Sequence, residues 1–267
     1  MPFPDSSRVI YKKNPLVEVV CQLRFPRILK IDSEPPVAFQ EKIRREYPVF
    51  KENIATDFKF NLPPEIEKLS EGVFPTPLQT GKKLVYDFIS VDEYWKVGLT
   101  SEFISLGTLK YERWEDFKGH LEKPLQALIE IYDPAFFSRI GLRYKDLIRR
   151  EELELENCKW SELLQPQIAG ELMTEDIAGD IQEVAKQIRI KLSDSETVLL
   201  QHGLVNSEEP DGKKAYYLID SDFSTNNKKT EIKHAIETLN NFNQQSKRLF
   251  RWCITKRLHE AMEPSPI

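Results

Sequence analysis

The stretch RIGLRYKDLI, residues 139–148, alternates apolar side chains with Arg139, Arg143 and Lys145. Such alternation is typical of a strand with one buried face, because successive side chains of a strand point to opposite faces. The earlier stretch LVEVVCQLRF, residues 16–25, alternates in the same way and carries Glu18 and Arg24 on its polar face. The sequence therefore predicts two half-buried strands, far apart in the chain, each with one charged face.

A similar order of elements follows each of these two strands. After the first strand, the pattern predicts a helix over 37–50, a strand at Phe58 to Leu62, a long connection over 63–80, three antiparallel strands within 82–112, and a helix over 113–131. Pro124 should kink that helix or end its first part. After the second strand come a helical segment WSELLQPQIAGELM, the strands EVAKQIRIKL, TVLLQHGL and AYYLIDSDF, and a long amphipathic helix over 230–261.

The repeated order predicts an α+β fold built from two successive β-α-(antiparallel meander)-α units, with the sheet on one side and the helices on the other. We place the units at residues 1–134 and 135–267 and expect them to join into one compact body. The arrangement is similar to the TATA-binding-protein fold, in which two such units form one curved sheet with their opening strands side by side. A shared topology implies no shared function.

Three segments also carry a resemblance at the level of sequence: NPLVEVVCQLRF, RIGLRYKDLI and YYLIDSDF. In these segments the chain resembles a patchily distributed family of uncharacterised bacterial proteins of about this length. The resemblance implies a bacterial protein, with a mobile element or phage defence as its context. It brings no known activity, cofactor or catalytic residue with it.

Composition narrows the classes of function. A formal net charge of −5 over 267 residues argues against nucleic-acid binding by bulk charge. Three cysteines without metal-ligand spacing, no apolar run of membrane-spanning length and no signal-peptide pattern indicate a cytoplasmic protein without a membrane partner. Gly-rich phosphate loops are absent from the sequence, and we expect no cofactor.

The charged faces of the two opening strands allow two interpretations. In the first, Arg139 or Arg143 pairs with Glu18 in a structural charge ladder, and Lys145 is free. In the second, Arg139, Arg143 and Lys145, with Arg24 and Glu18 beside them, form a surface that binds an anion or an acidic partner. The structural ladder is the favoured interpretation, and both are retained as hypotheses.

Asp220 and Asp222 in LIDSDF lie two residues apart, so both carboxylates should point to one face of a strand. This spacing fits a divalent metal site, for which the sequence offers no recognisable third ligand. The competing interpretation pairs Asp220 with Arg139 or Arg143 and places Asp222 at a turn or at the approach to a helix. We therefore predict no catalytic residues.

The helical segment NNFNQQSKRLFRW, residues 240–252, combines Lys247, Arg248 and Arg251 with Phe242 and Phe250. It could contact a phosphate or a partner, although a solvated basic face is the favoured interpretation.

The leading hypothesis for function is a non-enzymatic binding protein, a sensor or interaction component that recognises a macromolecular partner or an anionic ligand. The alternatives are a metal-dependent enzyme acting on nucleic acid and a purely structural subunit. A protein partner or a homo-oligomer is expected.

Overall fold

A nine-stranded antiparallel sheet is the centre of the structure, a computed structural model that describes residues 2–55, 83–209, 212–226 and 229–266. The strands are β1 Val9–Tyr11, β2 Leu16–Arg24, β3 Val49–Ala55, β4 Lys83–Ile89, β5 Trp95–Leu99, β6 Phe103–Thr108, β7 Arg139–Ile148, β8 Lys186–Lys191, β9 Glu196–Glu209, β10 Gly212–Thr225 and β11 Pro264–Pro266. The helices are α1 Leu29–Ser33, α2 Val37–Ile43, α3 Trp114–Tyr132, α4 Trp160–Leu163, α5 Pro166–Ala169, α6 Ala235–Cys253 and α7 Lys256–Ala261.

The strand order β3-β4-β5-β6-β2-β7-β10-β9-β8 places the opening strands of the two units side by side. Strands β2 and β7 are antiparallel, with Cys21 opposite Leu142 and Leu23 opposite Ile140. The predicted α+β fold of two β-α-meander-α units is confirmed. The unit boundary between residues 134 and 135 stays a prediction. A separate two-stranded ribbon, β1 with β11, was not predicted.

The core lies between one face of the sheet and the two long helices. From β7, Ile140, Leu142 and Tyr144 point into it, as their alternation predicts. Helix α3 contributes Leu121 and helix α6 contributes Phe242, both essentially without solvent exposure. Burying each such side chain contributes about 1.5–3 kcal/mol. This energy favours packing of the two long helices against the apolar face of the sheet and leaves the charged face open.

Helix α3 runs through Pro124 without ending, so of the two predicted outcomes, a kink or an end at this proline, the end does not occur. A proline in a helix leaves the carbonyl four residues earlier without its N–H donor. That carbonyl belongs to His120, and the hydroxyl of Tyr47 donates to it over 3.1 Å. Tyr47 thus supplies the hydrogen bond that Pro124 cannot make.

Two predicted helices are shorter than expected. The helix predicted over 37–50 ends at Ile43, and its last predicted residues start β3. The helix predicted over 230–261 is broken after Cys253, where Ile254 forms a bridge with Leu164. The predicted strand at Phe58 to Leu62 and the connection over 63–80 lie outside the described residues. Among those described, no helix combines the length and the apolar composition needed to cross a membrane.

A register shift in β2 separates two neighbouring side chains onto opposite faces of the sheet. Leu16 is opposite Asp146, whereas Glu18 is opposite Lys145, and the shift falls between them. In a regular strand, residues 16 and 18 would share a face. The bulge therefore directs Leu16 towards the helices and Glu18 towards the open face, as β-bulges commonly do beside functional sites.

Strand β8 joins the sheet next to a glycine that has no room for a side chain. A Cβ on Gly203 of β9 would lie 1.7 Å from the carbonyl oxygen of Val184, just before β8. We expect Gly203→Ala to lower the free energy of unfolding by about 1–3 kcal/mol, because this backbone must move away. The matched control is Gly119→Ala in α3, where no atom lies within 4 Å of the new methyl group. Gly119→Ala should stabilise by about 0.5–1 kcal/mol. Urea unfolding of both variants tests the prediction, and equal stability of the two would contradict it.

Candidate functional site

The open face of the sheet, opposite the core, carries a row of ion pairs along β7: Arg139–Asp222, Arg143–Asp220 and Lys145–Glu18. Arg143 donates two hydrogen bonds to Asp220, one of them 2.7 Å from Nε to Oδ1. This two-point contact suits the planar guanidinium and confirms the predicted pairing of Asp220 with an arginine. The open face therefore has the ladder of charges that the first interpretation describes.

The partners within the ladder differ from the prediction in one respect. Glu18 pairs with Lys145 at 2.9 Å, not with Arg139 or Arg143, and Lys145 is not free. The cause is the register, because the bulge in β2 sets Glu18 directly opposite Lys145. The two arginines instead contact β10, the neighbour of β7 on its other side, where Arg139 pairs with Asp222 and Arg143 with Asp220.

Arg24 lies on the same face and donates from Nε to Gln22 Oε1 at 2.9 Å. The structure thus brings all the predicted open-face residues together. An anion arriving at Arg139, Arg143 or Lys145 would have to compete with a carboxylate that each already holds.

The alternative metal site at Asp220 and Asp222 has its carboxylates in use by Arg143 and Arg139. In the described ranges, no group of three or more His, Cys, Asp or Glu side chains is arranged to hold a metal ion. The carboxylate of Asp220 is buried against a cation, which is the environment of a structural ion pair.

A cavity of about 100 Å³ opens on the other side of the sheet, and the sequence did not predict it. Its floor comes from β2, β7 and β10, with Leu16, Tyr144, Asp146 and Ser221. One wall is helix α6; the opposite wall is the start of α3 with Tyr111 and Trp114, and the N-terminal segment 7–14 borders the opening. We call this the helix-side cavity.

Helix α6 faces the helix-side cavity with residues spaced three and four apart: Asn243, Ser246, Lys247, Phe250 and Arg251. That spacing keeps side chains on one face of a helix. Asn243 is held in place, since its Oδ1 accepts a 3.0 Å hydrogen bond from the hydroxyl of Tyr144. At the other wall, Trp114 Nε1 donates to Asn240 Oδ1 at 2.7 Å. These bonds tie α6 to the floor and to α3, so the cavity is preformed.

Asp146 is the most unusual group on the floor of the helix-side cavity. It is only 6% exposed, and its carboxyl group makes no ion pair or hydrogen bond with the part of the chain that the structure describes. Burial, with a contribution from the charge of Asp220, raises its pKa well above the usual value. An unpaired buried carboxyl group is costly, and such groups mark candidate sites.

Two cations of α6 lie on the wall of the same cavity. Burial, with Arg8 nearby, lowers the pKa of Lys247 to about 8, although Glu115 acts in the opposite direction. Nη1 of Arg251 is buried and has no hydrogen-bond partner. No ion pair of Lys247 or Arg251 occurs among the described residues, whereas Arg8 pairs with Glu115. The helix-side cavity thus has an acidic group on its floor, and on its wall two cations that form no ion pair with a described residue.

The basic segment 240–252, which the sequence analysis identified, contributes the α6 wall of the helix-side cavity. Lys247, Phe250 and Arg251 line the cavity, while Phe242 belongs to the core and Arg248 pairs with Asp5. The spacing of Lys247 and Arg251 was visible, but a solvated basic face was the favoured interpretation. That interpretation is wrong for Arg251 Nη1, which is buried.

The ladder leads to a prediction about Lys145. Both members of its pair are buried, with 4% and 7% of their side chains exposed. We expect Lys145→Met to destabilise the protein by about 3–5 kcal/mol, because Glu18 would remain as an uncompensated buried charge. Adding Glu18→Gln should restore more than half of that loss. Urea unfolding of the single and double variants provides the measurement.

The control for Lys145→Met is Lys256→Met, since Lys256 has 85% of its side chain exposed and pairs with Glu260 on α7. That change should shift stability by less than about 0.5 kcal/mol. If the two methionine variants unfold at the same urea concentration, the ion pair of Lys145 with Glu18 contributes nothing to stability and the prediction is wrong.

Comparison with known proteins adds no assignment to this geometry. No protein-family model matches the chain, and no curated protein matches it. Membership in a patchily distributed bacterial family stays a prediction carried by the three segments quoted above. The helix-side cavity is therefore identified as the candidate functional site from the geometry and charge of its lining residues alone.

Proposed function

We propose that the protein is a binding protein that takes up a small anionic ligand in the helix-side cavity, where Lys247 and Arg251 hold the anion. The observation that carries this proposal is the charge of the cavity wall, because Lys247 and Arg251 both line the cavity and neither forms an ion pair with a residue that the structure describes. Removing a charged group from water without a partner is costly. An anionic ligand in the cavity would provide the missing opposite charge.

Lys247 supports the same proposal. Its ammonium group lies one helical turn before Arg251 on the cavity-facing side of α6, and its pKa is lowered to about 8 by burial and by the nearby charge of Arg8. An anion between these cations would offset both the lost hydration and the mutual repulsion. A ligand that binds only the folded state raises the stability of that state. Such a change in stability on binding is sufficient for a sensor or interaction component, and no catalysis is required.

The open face is a weaker place for the same function. There Arg139, Arg143 and Lys145 already hold carboxylates, and an incoming anion would leave those carboxylates unpaired. The cations of the helix-side cavity have no such competitor. We therefore assign ligand binding to the cavity and ion-pair stabilisation to the open face. A protein partner, a homo-oligomer and a defence context stay predictions.

Sulfate is the first probe, because its charge is constant between pH 7 and 9. Calorimetric titration at matched ionic strength should show binding to the wild-type protein, and Lys247→Met or Arg251→Met should weaken it at least tenfold. Lys256→Met is the control, since it removes the same charge from an exposed site on α7. Wild-type affinity in both cavity variants would overturn the proposal, as would the absence of sulfate binding to the wild-type protein.

The pKa of Lys247 leads to a prediction about pH. Lys247 is charged below about pH 8, so sulfate affinity should fall about tenfold between pH 7 and 9. The charged groups that affect Lys247 are Arg8 of the N-terminal segment and Glu115 of α3, and the pKa of Glu115 is lowered by its hydrogen bond from Arg8. Calorimetry at both pH values checks this, and Lys247→Met should show a much smaller dependence on pH.

The same group affects the stability of the ligand-free protein in the opposite direction. Its pKa in the folded protein is lowered, so the unfolded chain binds more protons between about pH 8 and the ordinary lysine value, and this contribution to stability rises with pH. Weaker sulfate binding at pH 9 therefore cannot come from loss of the fold through Lys247. Affinity that is equal at pH 7 and 9 would contradict a role for its charge.

A further inference from the structure

We infer that the ligand of the helix-side cavity is bipolar: its head group donates hydrogen bonds to Asp146 on the floor, and its acidic group lies at Lys247 and Arg251 on the wall. This inference rests on the proposed function and extends it to the chemical class of the ligand. Two kinds of small molecule share this chemistry, namely α-amino acids and nucleoside monophosphates whose base has an amino group.

The floor of the cavity carries the first step of the argument. Asp146 is 6% exposed and has no ion pair or hydrogen bond among the described residues, yet it lines the cavity. Ser221 of β10, which is opposite Tyr144 and 3% exposed, also lines the cavity. A carboxyl group that borders the cavity without a partner among the described residues is free to accept a hydrogen bond from a donor on the ligand.

Size and shape carry the second step. A water molecule needs about 10–15 Å³ of cavity volume, so a cavity of about 100 Å³ has room for roughly seven to ten waters. This suits an amino acid or a single nucleobase, with a phosphate group at the opening. Tyr111, Trp114 and Phe250 form aromatic parts of the walls, and flat rings of this kind favour stacking with a planar head group.

The protonation of Asp146 separates the two kinds of ligand. Burial and the charge of Asp220 raise its pKa, and its charge in turn acts on Tyr11 and Cys253. This shift favours the neutral carboxyl group in the empty cavity. A neutral acid can donate to a ring nitrogen and accept from an amino group of adenine or cytosine. An ammonium group instead needs the carboxylate, so its binding would release a proton.

The experiment titrates the full chain by calorimetry with sulfate, glycine, glutamate, AMP, CMP, GMP and UMP, and with adenosine as a head group without an anion. We expect at least one bipolar probe to bind ten times more tightly than sulfate. Asp146→Asn should weaken that probe at least tenfold and leave sulfate unchanged. Repeating the titration in buffers of different ionisation enthalpy should show proton release for an amino acid and none for AMP or CMP.

The control is Asp87→Asn on the open face. Asp87 is 6% exposed, and burial raises its pKa, but it bonds to Asn53 and does not line the cavity. This variant should bind every probe as the wild-type protein does. Melting temperatures are measured alongside, and Asp146→Ser replaces Asp146→Asn if the latter does not fold.

The outcomes separate the two proposals. Sulfate binding without a tighter bipolar probe, or with a bipolar probe that Asp146→Asn binds equally well, overturns the inference and leaves the proposed function standing. Failure of sulfate to bind overturns the proposed function. In that case adenosine binding that depends on Asp146 would still support a donor head group on the floor, and no adenosine binding would overturn the inference as well.

Discussion

The pairing of β2 with β7 is the interaction on which the rest of the structure depends. It joins the sheets of the two units, because β6 and β10 each attach to one of these strands. It also brings the buried ion pair of Glu18 with Lys145 together across the seam. Breaking one member of such a pair is far more costly than lacking the pair, so the charges select this register over a slipped one.

Strand β7 divides its residues between two roles by simple alternation. Arg143 and Lys145 face the open side, where each has a carboxylate partner. Tyr144 and Asp146 face the helices, where Tyr144 anchors α6 through Asn243 and Asp146 has no ion-pair or hydrogen-bond partner in the described part of the chain. Stabilising charges and the candidate binding group therefore belong to one rigid strand. Such a strand positions a functional side chain more precisely than a loop would.

Alternation and helical spacing were sufficient to predict the α+β fold, the two opening strands and the residues of the open face. Three features were beyond them. The pairing of Glu18 with Lys145 depends on a bulge that no local pattern indicates. The continuity of α3 depends on Tyr47, which lies 77 residues before Pro124 and supplies a distant hydrogen bond. The helix-side cavity is formed by segments that meet only in the folded chain. In the sequence, Asp146 is indistinguishable from any other polar residue near the end of a strand.

The bulge at the start of β2 also bears on synthesis. Strand β2 ends at Arg24, and β7 begins at Arg139, so the ribosome must add more than a hundred residues before the seam can form. During that time the meander of the first unit can cover only one side of β2, and the other side is an edge with unpaired backbone groups. A charge pointing from an edge strand discourages pairing with other chains. Glu18 is such a charge, so we expect the carboxylate that later pairs with Lys145 to disfavour pairing of β2 with other chains before β7 is made.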